Sequence, residues 1–115
     1  MNGHQRAQAD RFGVEVLEMH RWAEGLRPEL DGPIYVSLDL DVLDPAFAPG
    51  VSHREPGGLS VREVIALLQS LTGPVVGADV VELNPHQDPL GLTPPVAAKL
   101  VKELAGALTR AADAG

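Results

Sequence analysis

The sequence contains no cysteine, which excludes disulfide bonds, thiolate metal sites and a cysteine nucleophile. Positive charge is also scarce, because 9 Lys and Arg residues stand against 16 Asp and Glu residues, for a net charge of -7. No basic cluster is present that would attract phosphate, so nucleic acid and an anionic membrane surface are disfavoured as partners. Metal ions and cationic small molecules fit this charge better.

Long apolar runs are absent as well. No stretch approaches the roughly 18 residues that a membrane-spanning helix needs. Residues 1–10 are polar, with neither the apolar core of a signal peptide nor an Arg-rich presequence. We therefore expect a soluble, cytoplasmic protein of 115 residues that forms one domain or a part of one.

Strand-like and helix-like periods alternate along the chain, which is typical of an α/β protein whose parallel sheet is flanked by helices. A capping box at Ser60 and Glu63 predicts the start of one helix. The predicted helices cover residues 4–11, 21–30 (weak and broken at Arg27-Pro28), 61–71 and 93–108; the predicted strands cover 14–19, 34–39 and 75–81; residues 109–115 form a frayed tail.

The segment Ser37-Leu38-Asp39-Leu40-Asp41-Val42-Leu43-Asp44-Pro45 places carboxylates at the end of an apolar strand. Burying two like charges is costly unless a cation offsets the desolvation. Residues at i and i+2 of a strand share a face, so Asp39 and Asp41 could reach one metal ion or an adjacent pair. The alternative is that Asp39 caps a turn and that Asp41 and Asp44 are solvated loop residues.

A second apolar strand also delivers an acid into a loop, at Glu82. Ligand sites of open α/β sheets lie beyond the carboxyl ends of the strands. If the two strands are neighbours, Glu82 stands at the same edge as Asp39 and Asp41, where it could hold a cationic group such as a guanidinium. The alternative is an ordinary ion pair between Glu82 and a surface Arg or Lys.

Three blocks follow one another along the chain: Ser37 to Gly50, Gly57-Gly58-Leu59-Ser60 with Arg62-Glu63, and Gly77-Ala78-Asp79-Val80-Val81-Glu82-Leu83-Asn84-Pro85. In this order they resemble the ureohydrolase family, the manganese enzymes that include arginase and agmatinase. The similarity covers about residues 5–108 and the C-terminal part of the family, with plant and bacterial arginases of the agmatinase-like branch most similar. The resemblance implies that residues 1–115 are the C-terminal portion of a ureohydrolase domain with an arginase-like three-layer fold.

The resemblance also implies roles for individual residues. Asp39 and Asp41 match ligands of a binuclear manganese centre, and hard oxygen ligands suit Mn(II). Glu82 matches the glutamate that holds the guanidinium nitrogens, while Asp79 matches a buried structural acid. In the family, metal-activated hydroxide hydrolyses the guanidino substrate, with arginine giving ornithine and urea, and the enzymes form homo-oligomers.

The four histidines receive weaker assignments. His53 follows the first block and is a candidate substrate-binding residue, although a loop histidine is more often solvated. His86 is a weaker candidate than His53 for substrate contact, and His4 and His20 are expected at the surface.

Two earlier blocks of the family, which supply its histidine ligands and its Asp-x-His-x-Asp ligands, have no counterpart in this sequence. Too few protein ligands remain to replace the hydration shell of Mn(II), so we expect this chain alone to bind the metal weakly and to be inactive. An exposed strand edge would also invite self-association. The alternatives are an agmatinase or another guanidino-acid hydrolase, and a non-catalytic α/β module that acts in assembly.

Overall fold

The computed structural model describes residues 1–114, with side chains to residue 113. In this part of the chain, four helices and two strands follow one another. The helices are α1 (Gly3–Arg11), α2 (Met19–Ala23), α3 (Val61–Ser70) and α4 (Thr93–Ala114), the strands are β1 (Ile34–Asp39) and β2 (Val75–Val81), and short 3-10 turns cover Leu40–Val42 and Pro85–Gln87. Within these residues, no helix is long and apolar enough to cross a membrane.

The two strands pair in parallel, which confirms the predicted α/β class. Leu38 lies opposite Val80 and Asp39 lies opposite Val81, so both strands end at the same edge of the sheet. The connection between them is the long loop after β1 followed by α3, as a parallel pair requires. The segments that follow the two strands are thereby brought next to each other.

The capping box predicted for α3 is confirmed. The Ser60 hydroxyl accepts the Glu63 N–H at 3.0 Å, and Glu63 accepts the Ser60 N–H at 3.0 Å. The second carboxylate oxygen of Glu63 accepts a hydrogen bond from the indole N–H of Trp22 at 3.1 Å. This contact joins the start of α3 to α2, which is far away in the sequence.

Helices α3 and α4 cover one face of the sheet and form the core with it. The helical side chains of this core have the spacing that the sequence predicts, and they include Val64, Ile65, Leu68, Leu100 and Leu104; Leu38 of β1 and Leu40 pack against them. On the other face, Tyr35 and Ser37 are exposed. In the part of the chain that the structure describes, only one of the two outer layers of a three-layer fold is therefore present on the sheet.

Asp79 lies on the open face, where its carboxylate accepts hydrogen bonds from the Tyr35 hydroxyl at 2.9 Å and the Ser37 hydroxyl at 2.7 Å. The Tyr35 ring lies against Gly77, so that a Cβ at Gly77 would come within 2.8 Å of it. Asp79 is half-buried rather than buried as expected, because nothing in residues 1–114 covers Tyr35 and Ser37. Its contacts still join β1 to β2.

Three local predictions were wrong. Residues 14–18 form no strand, because Val14 and Val16 remain 58% and 41% exposed and are not paired with β1 or β2. The weak helix of residues 21–30 is replaced by α2, which ends before Gly25, a residue with a φ of 97°. The tail does not fray at residue 109, because α4 continues to Ala114, with Ala107 buried; Gly115 lies outside the described residues.

Candidate metal and guanidinium site

Three side chains meet where the two parallel strands end. One ligand atom each from Asp41, His53 and Glu82 lies within 4.8 Å of the other two. Asp41 comes from the 3-10 turn after β1, His53 from the long loop before α3, and Glu82 directly follows β2. The arrangement combines two carboxylates and an imidazole, a donor set that binds divalent cations.

Asp41 is the most enclosed member of this cluster, with a side chain 22% exposed. Its Oδ2 lies 3.6 Å from the Nδ1 of His53, too far for a good hydrogen bond. Its Oδ1 is buried and has no hydrogen-bond partner among the residues that the structure describes. Because an unpaired buried carboxylate oxygen is costly, this atom suits contact with a cation. The donor set and the unpaired oxygen therefore fit a divalent metal such as Mn(II).

Asp39 does not join the cluster. Its Oδ1 accepts the backbone N–H of Asp41 at 2.9 Å, which caps the 3-10 turn Leu40–Val42. The strand ends at Asp39, so the two acids do not occupy i and i+2 of a continuing strand as the sequence argument assumed. In this structure Asp39 fixes the backbone of Asp41. The Asp39 side chain is exposed, so its second carboxylate oxygen is accessible to a metal ion.

Glu82 has a φ of 76°, in the left-handed region that favours glycine. A non-glycine residue held in this conformation is strained, and such strain is concentrated at functional sites. The conformation turns the chain out of β2 and places an exposed carboxylate beside Asp41 and His53. The arrangement agrees with the predicted convergence of Glu82 and the acids after β1.

Asp44 has a structural role in the loop. Its carboxylate accepts the N–H groups of Ala46 at 2.9 Å and Gly57 at 3.0 Å, and these hydrogen bonds lower the pKa of Asp44. Gly58 packs so closely on this turn that a Cβ would lie 2.6 Å from the Asp44 nitrogen. The two glycines of the second sequence block thus close the base of the loop that carries His53.

The sequence patterns did not reveal the groups that join the loop carrying His53 to the segment that follows Glu82. Asp88 and Thr93 are both buried, respectively 7% and 0% exposed. Thr93 accepts the Gly50 N–H at 2.7 Å, and Gly50 in turn accepts the Asn84 N–H at 2.6 Å. The available signal was Asp88 shortly before Thr93-Pro94, a pattern typical of a helix start.

The remaining histidines lie away from this cluster or at its margin. His4 and His20 are exposed on α1 and α2, as predicted. His86 is also exposed, in the 3-10 turn Pro85–Gln87, where its backbone N–H donates to the Asn84 side chain at 3.2 Å. Of the four, His53 is the histidine that meets the two acids.

Comparison with known proteins identifies the family. The sequence model of the Arginase family matches residues 2–106. This chain belongs to the arginase family. It is 50% identical to mitochondrial arginase 1 of Arabidopsis thaliana over 96% of its own length and 34% of that protein, and 44% identical to an agmatinase of Halalkalibacterium halodurans over 67% of its own length and 28% of that protein.

The solved structure of an arginase from Medicago truncatula superposes with a TM-score of 0.84 at 43% identity. The match covers 94% of this chain and 37% of that one. It confirms the arginase fold and the ureohydrolase resemblance. The chain spans about a third of the length of the relatives it matches.

The expectation of a cytoplasmic protein is contradicted by these relatives. Arginase 1 of Arabidopsis thaliana and that of rice are named mitochondrial, and arginase 2 of Arabidopsis thaliana is named chloroplastic or mitochondrial. The polar character of residues 1–10 was the basis of the expectation. The polar character of residues 1–10 carries no information on location, because this chain spans only about a third of those proteins.

Proposed function

We propose that this chain is the C-terminal portion of a manganese-dependent ureohydrolase that hydrolyses arginine to ornithine and urea. The observation that carries the proposal is the convergence of Asp41, His53 and Glu82 at the carboxyl end of a parallel strand pair, in a chain of the arginase family. Because the chain spans about a third of its relatives, the activity is proposed for the complete protein.

Asp39 and Asp41 are the proposed metal ligands. Support comes from the buried, unpartnered Oδ1 of Asp41 and from the hydrogen bond by which Asp39 orients the Asp41 backbone. Oxygen ligands of this kind suit Mn(II). A bound divalent cation supplies Lewis acidity, which lowers the pKa of water and so permits hydrolysis at neutral pH.

Glu82 is the proposed partner of the substrate guanidinium. A carboxylate forms charge-assisted, paired hydrogen bonds with a planar guanidinium, which both neutralises and orients it. The strained backbone of Glu82 holds the carboxylate beside Asp41, so a guanidinium carbon bound there lies close to the proposed metal ligands. His53 stands at the rim of the same cluster and is 84% exposed, which suits a residue that contacts the substrate as it enters.

The chain by itself offers few ligands. In the described residues, Asp41 and Glu82 bring two carboxylates together with the imidazole of His53, and Asp39 is a third carboxylate next to Asp41. These ligands are fewer than a binuclear centre requires. We therefore expect weak Mn(II) binding and no urea production from residues 1–115 alone. The remaining ligands, and the contacts of a homo-oligomer, would come from the rest of the protein or its partner subunits.

Agmatine is the second candidate substrate, because an agmatinase is 44% identical over two thirds of this chain. Agmatine presents the same guanidinium to Glu82 but lacks the α-carboxylate of arginine. The residues described here recognise only the shared group, so both substrates are compatible with them.

The test is urea production by the complete gene product supplied with Mn(II) and either arginine or agmatine. We expect urea from arginine, and its loss in Glu82→Gln. The matched control is Glu55→Gln, which alters an exposed glutamate in the loop that carries His53. If neither compound yields urea from a folded, manganese-loaded protein, the proposed function is wrong.

A further inference from the structure

The proposed site depends on two loops that have little regular structure of their own. His53 lies in the loop between Leu43 and Leu59, and Glu82 opens the loop that leads to α4. Exposed loops of this kind move independently unless something fixes one against the other. The distance between His53 and Glu82 is therefore set by whatever connects the two loops.

Thr93 makes the central connection. Its side chain is 0% exposed, and its hydroxyl oxygen accepts the backbone N–H of Gly50 at 2.7 Å. The carbonyl of Gly50 accepts the backbone N–H of Asn84 at 2.6 Å. The N–H of Gly50 is thus bonded to the start of α4, and its carbonyl is bonded to the loop that begins at Glu82.

Asp88 fixes Thr93 in turn. Its carboxylate oxygens accept the N–H of Leu92 at 3.1 Å and the N–H of Thr93 at 2.8 Å. Burial raises the pKa of Asp88, but the hydrogen bonds from Thr93 and Leu92 outweigh burial and hold the pKa below its usual value. The ionised carboxylate therefore anchors the start of α4, from which the Thr93 hydroxyl reaches Gly50.

The packing around Gly50 leaves no room for a side chain at this position. A Cβ at Gly50 would lie 2.7 Å from the Thr93 hydroxyl oxygen and 2.8 Å from the Asp88 Cβ. Glycine at this position lets the two loops approach until their backbones bond directly. The side-chain amide of Asn84 also donates a hydrogen bond to the Ser52 hydroxyl at 2.8 Å, and Ser52 precedes His53 in the sequence.

We propose that Thr93, supported by Asp88, is a positioning residue that sets the distance between His53 and Glu82 through Gly50. The inference rests on the proposed function for its catalytic consequence, but the structural connection exists without it. Thr93 acts through the loops, because it is fully buried and its hydroxyl bonds to Gly50.

The test compares Thr93→Val, which keeps the shape but removes the hydroxyl, with Thr93→Ser, which keeps the hydroxyl. Thr109→Val is the matched control, because Thr109 bonds only within α4, to the Ala105 carbonyl. Amide hydrogen exchange and two-dimensional NMR on the folded protein are the structural readouts. In Thr93→Val we expect Gly50 to exchange about tenfold faster and the signals of His53 and Glu82 to shift. Thr93→Ser and Thr109→Val should match the wild type at these three residues.

In the complete enzyme, Thr93→Val should raise the KM for the guanidino substrate about tenfold, since a lost hydrogen bond of this kind is worth about that factor. Thr93→Ser should restore the wild-type KM. Equal NMR shifts and exchange in Thr93→Val and Thr93→Ser would overturn the positioning role. A wild type without urea production would instead overturn the proposed function, and the NMR comparison would still decide the role of Thr93.

Discussion

The Nδ1 of His53 lies 3.6 Å from the Oδ2 of Asp41, although Asp41 lies in the 3-10 turn after β1 and His53 lies well inside the loop before α3. The loop returns to the strand end because Asp44 holds its base and Thr93 holds its middle. An imidazole is thereby added to the acids that the sequence pattern predicts. The cluster thus includes His53, which the sequence indicated only as a candidate substrate-binding residue.

The contact between Asp41 and His53 predicts how the chain binds metal. Asp41→Asn removes a carboxylate whose inner oxygen is unpaired, so the affinity for Mn(II) should fall at least about tenfold, the lower bound for losing even an indirect ligand contact. Titration followed by electron paramagnetic resonance of free Mn(II) measures the change. Asp10→Asn, on the exposed face of α1, is the charge-matched control and should bind as the wild type does. Equal affinities in the two variants would rule out Asp41 as a ligand.

The φ of Glu82 predicts opposite effects on stability and on binding. Glu82→Gly should relieve the strain of a left-handed residue and raise the free energy of unfolding by roughly 1 kcal/mol. Glu82→Gln keeps the strain and should leave stability near the wild-type value. Both variants should lose guanidinium binding. Urea denaturation measures the free energy of unfolding of the variants, and the KM of the complete enzyme measures their guanidinium binding. A Glu82→Gly variant less stable than the wild type would contradict the strain argument.

The sequence was sufficient to predict the parts of the fold that local patterns specify. The apolar runs of β1 and β2 and the capping box at Ser60 and Glu63 each appear where expected. The strand predicted at residues 14–19 does not form, because a strand requires a partner strand. The side chains of Val14 and Val16 remain exposed in the described residues. Local alternation shows that a segment could form a strand, whereas its neighbours decide whether it does.

The site was predicted only in part, for a similar reason. Glu82 was expected beside Asp39 and Asp41 because parallel strands end at a common edge, and of these two acids Asp41 lies beside it. The separation of Asp39 from Asp41 corresponds to the alternative in which Asp39 caps a turn, since its side chain accepts the Asp41 N–H. The position of His53 depends on long-range hydrogen bonds of Gly50, which no periodic pattern reveals.

The bonds of Glu63 predict a pH dependence of stability. Hydrogen bonds from the Ser60 N–H and the Trp22 indole lower the pKa of Glu63 in the folded state, against a smaller opposing effect of burial. A carboxyl whose folded pKa lies below its unfolded value stabilises the fold above the unfolded pKa, and this stabilisation is lost as the pH falls through the folded pKa. Glu63→Gln keeps the capping box but removes the titration.

The wild type should therefore be more stable than Glu63→Gln at neutral pH, and the difference should disappear as the pH falls below the ordinary glutamate value of 4.5. Denaturation followed by the fluorescence of Trp22, the chain's one tryptophan, measures both proteins. Glu55→Gln serves as the control for loss of a surface charge. A difference between wild type and Glu63→Gln that stays constant between pH 7 and pH 3 would contradict the assignment.

The open sheet predicts self-association of residues 1–115. Each strand of the pair has one side without a partner strand in the described residues, and Val76 on β2 is 64% exposed. Unpaired strand edges bind other edges, and a lysine at such an edge opposes this. The apparent mass of the chain should therefore rise with concentration, and Val76→Lys should keep it monomeric over a wider range. Val101→Lys, at a 51% exposed position of α4, adds the same charge away from the sheet. Light scattering after size-exclusion chromatography would refute the edge argument if both lysine variants associated as the wild type does.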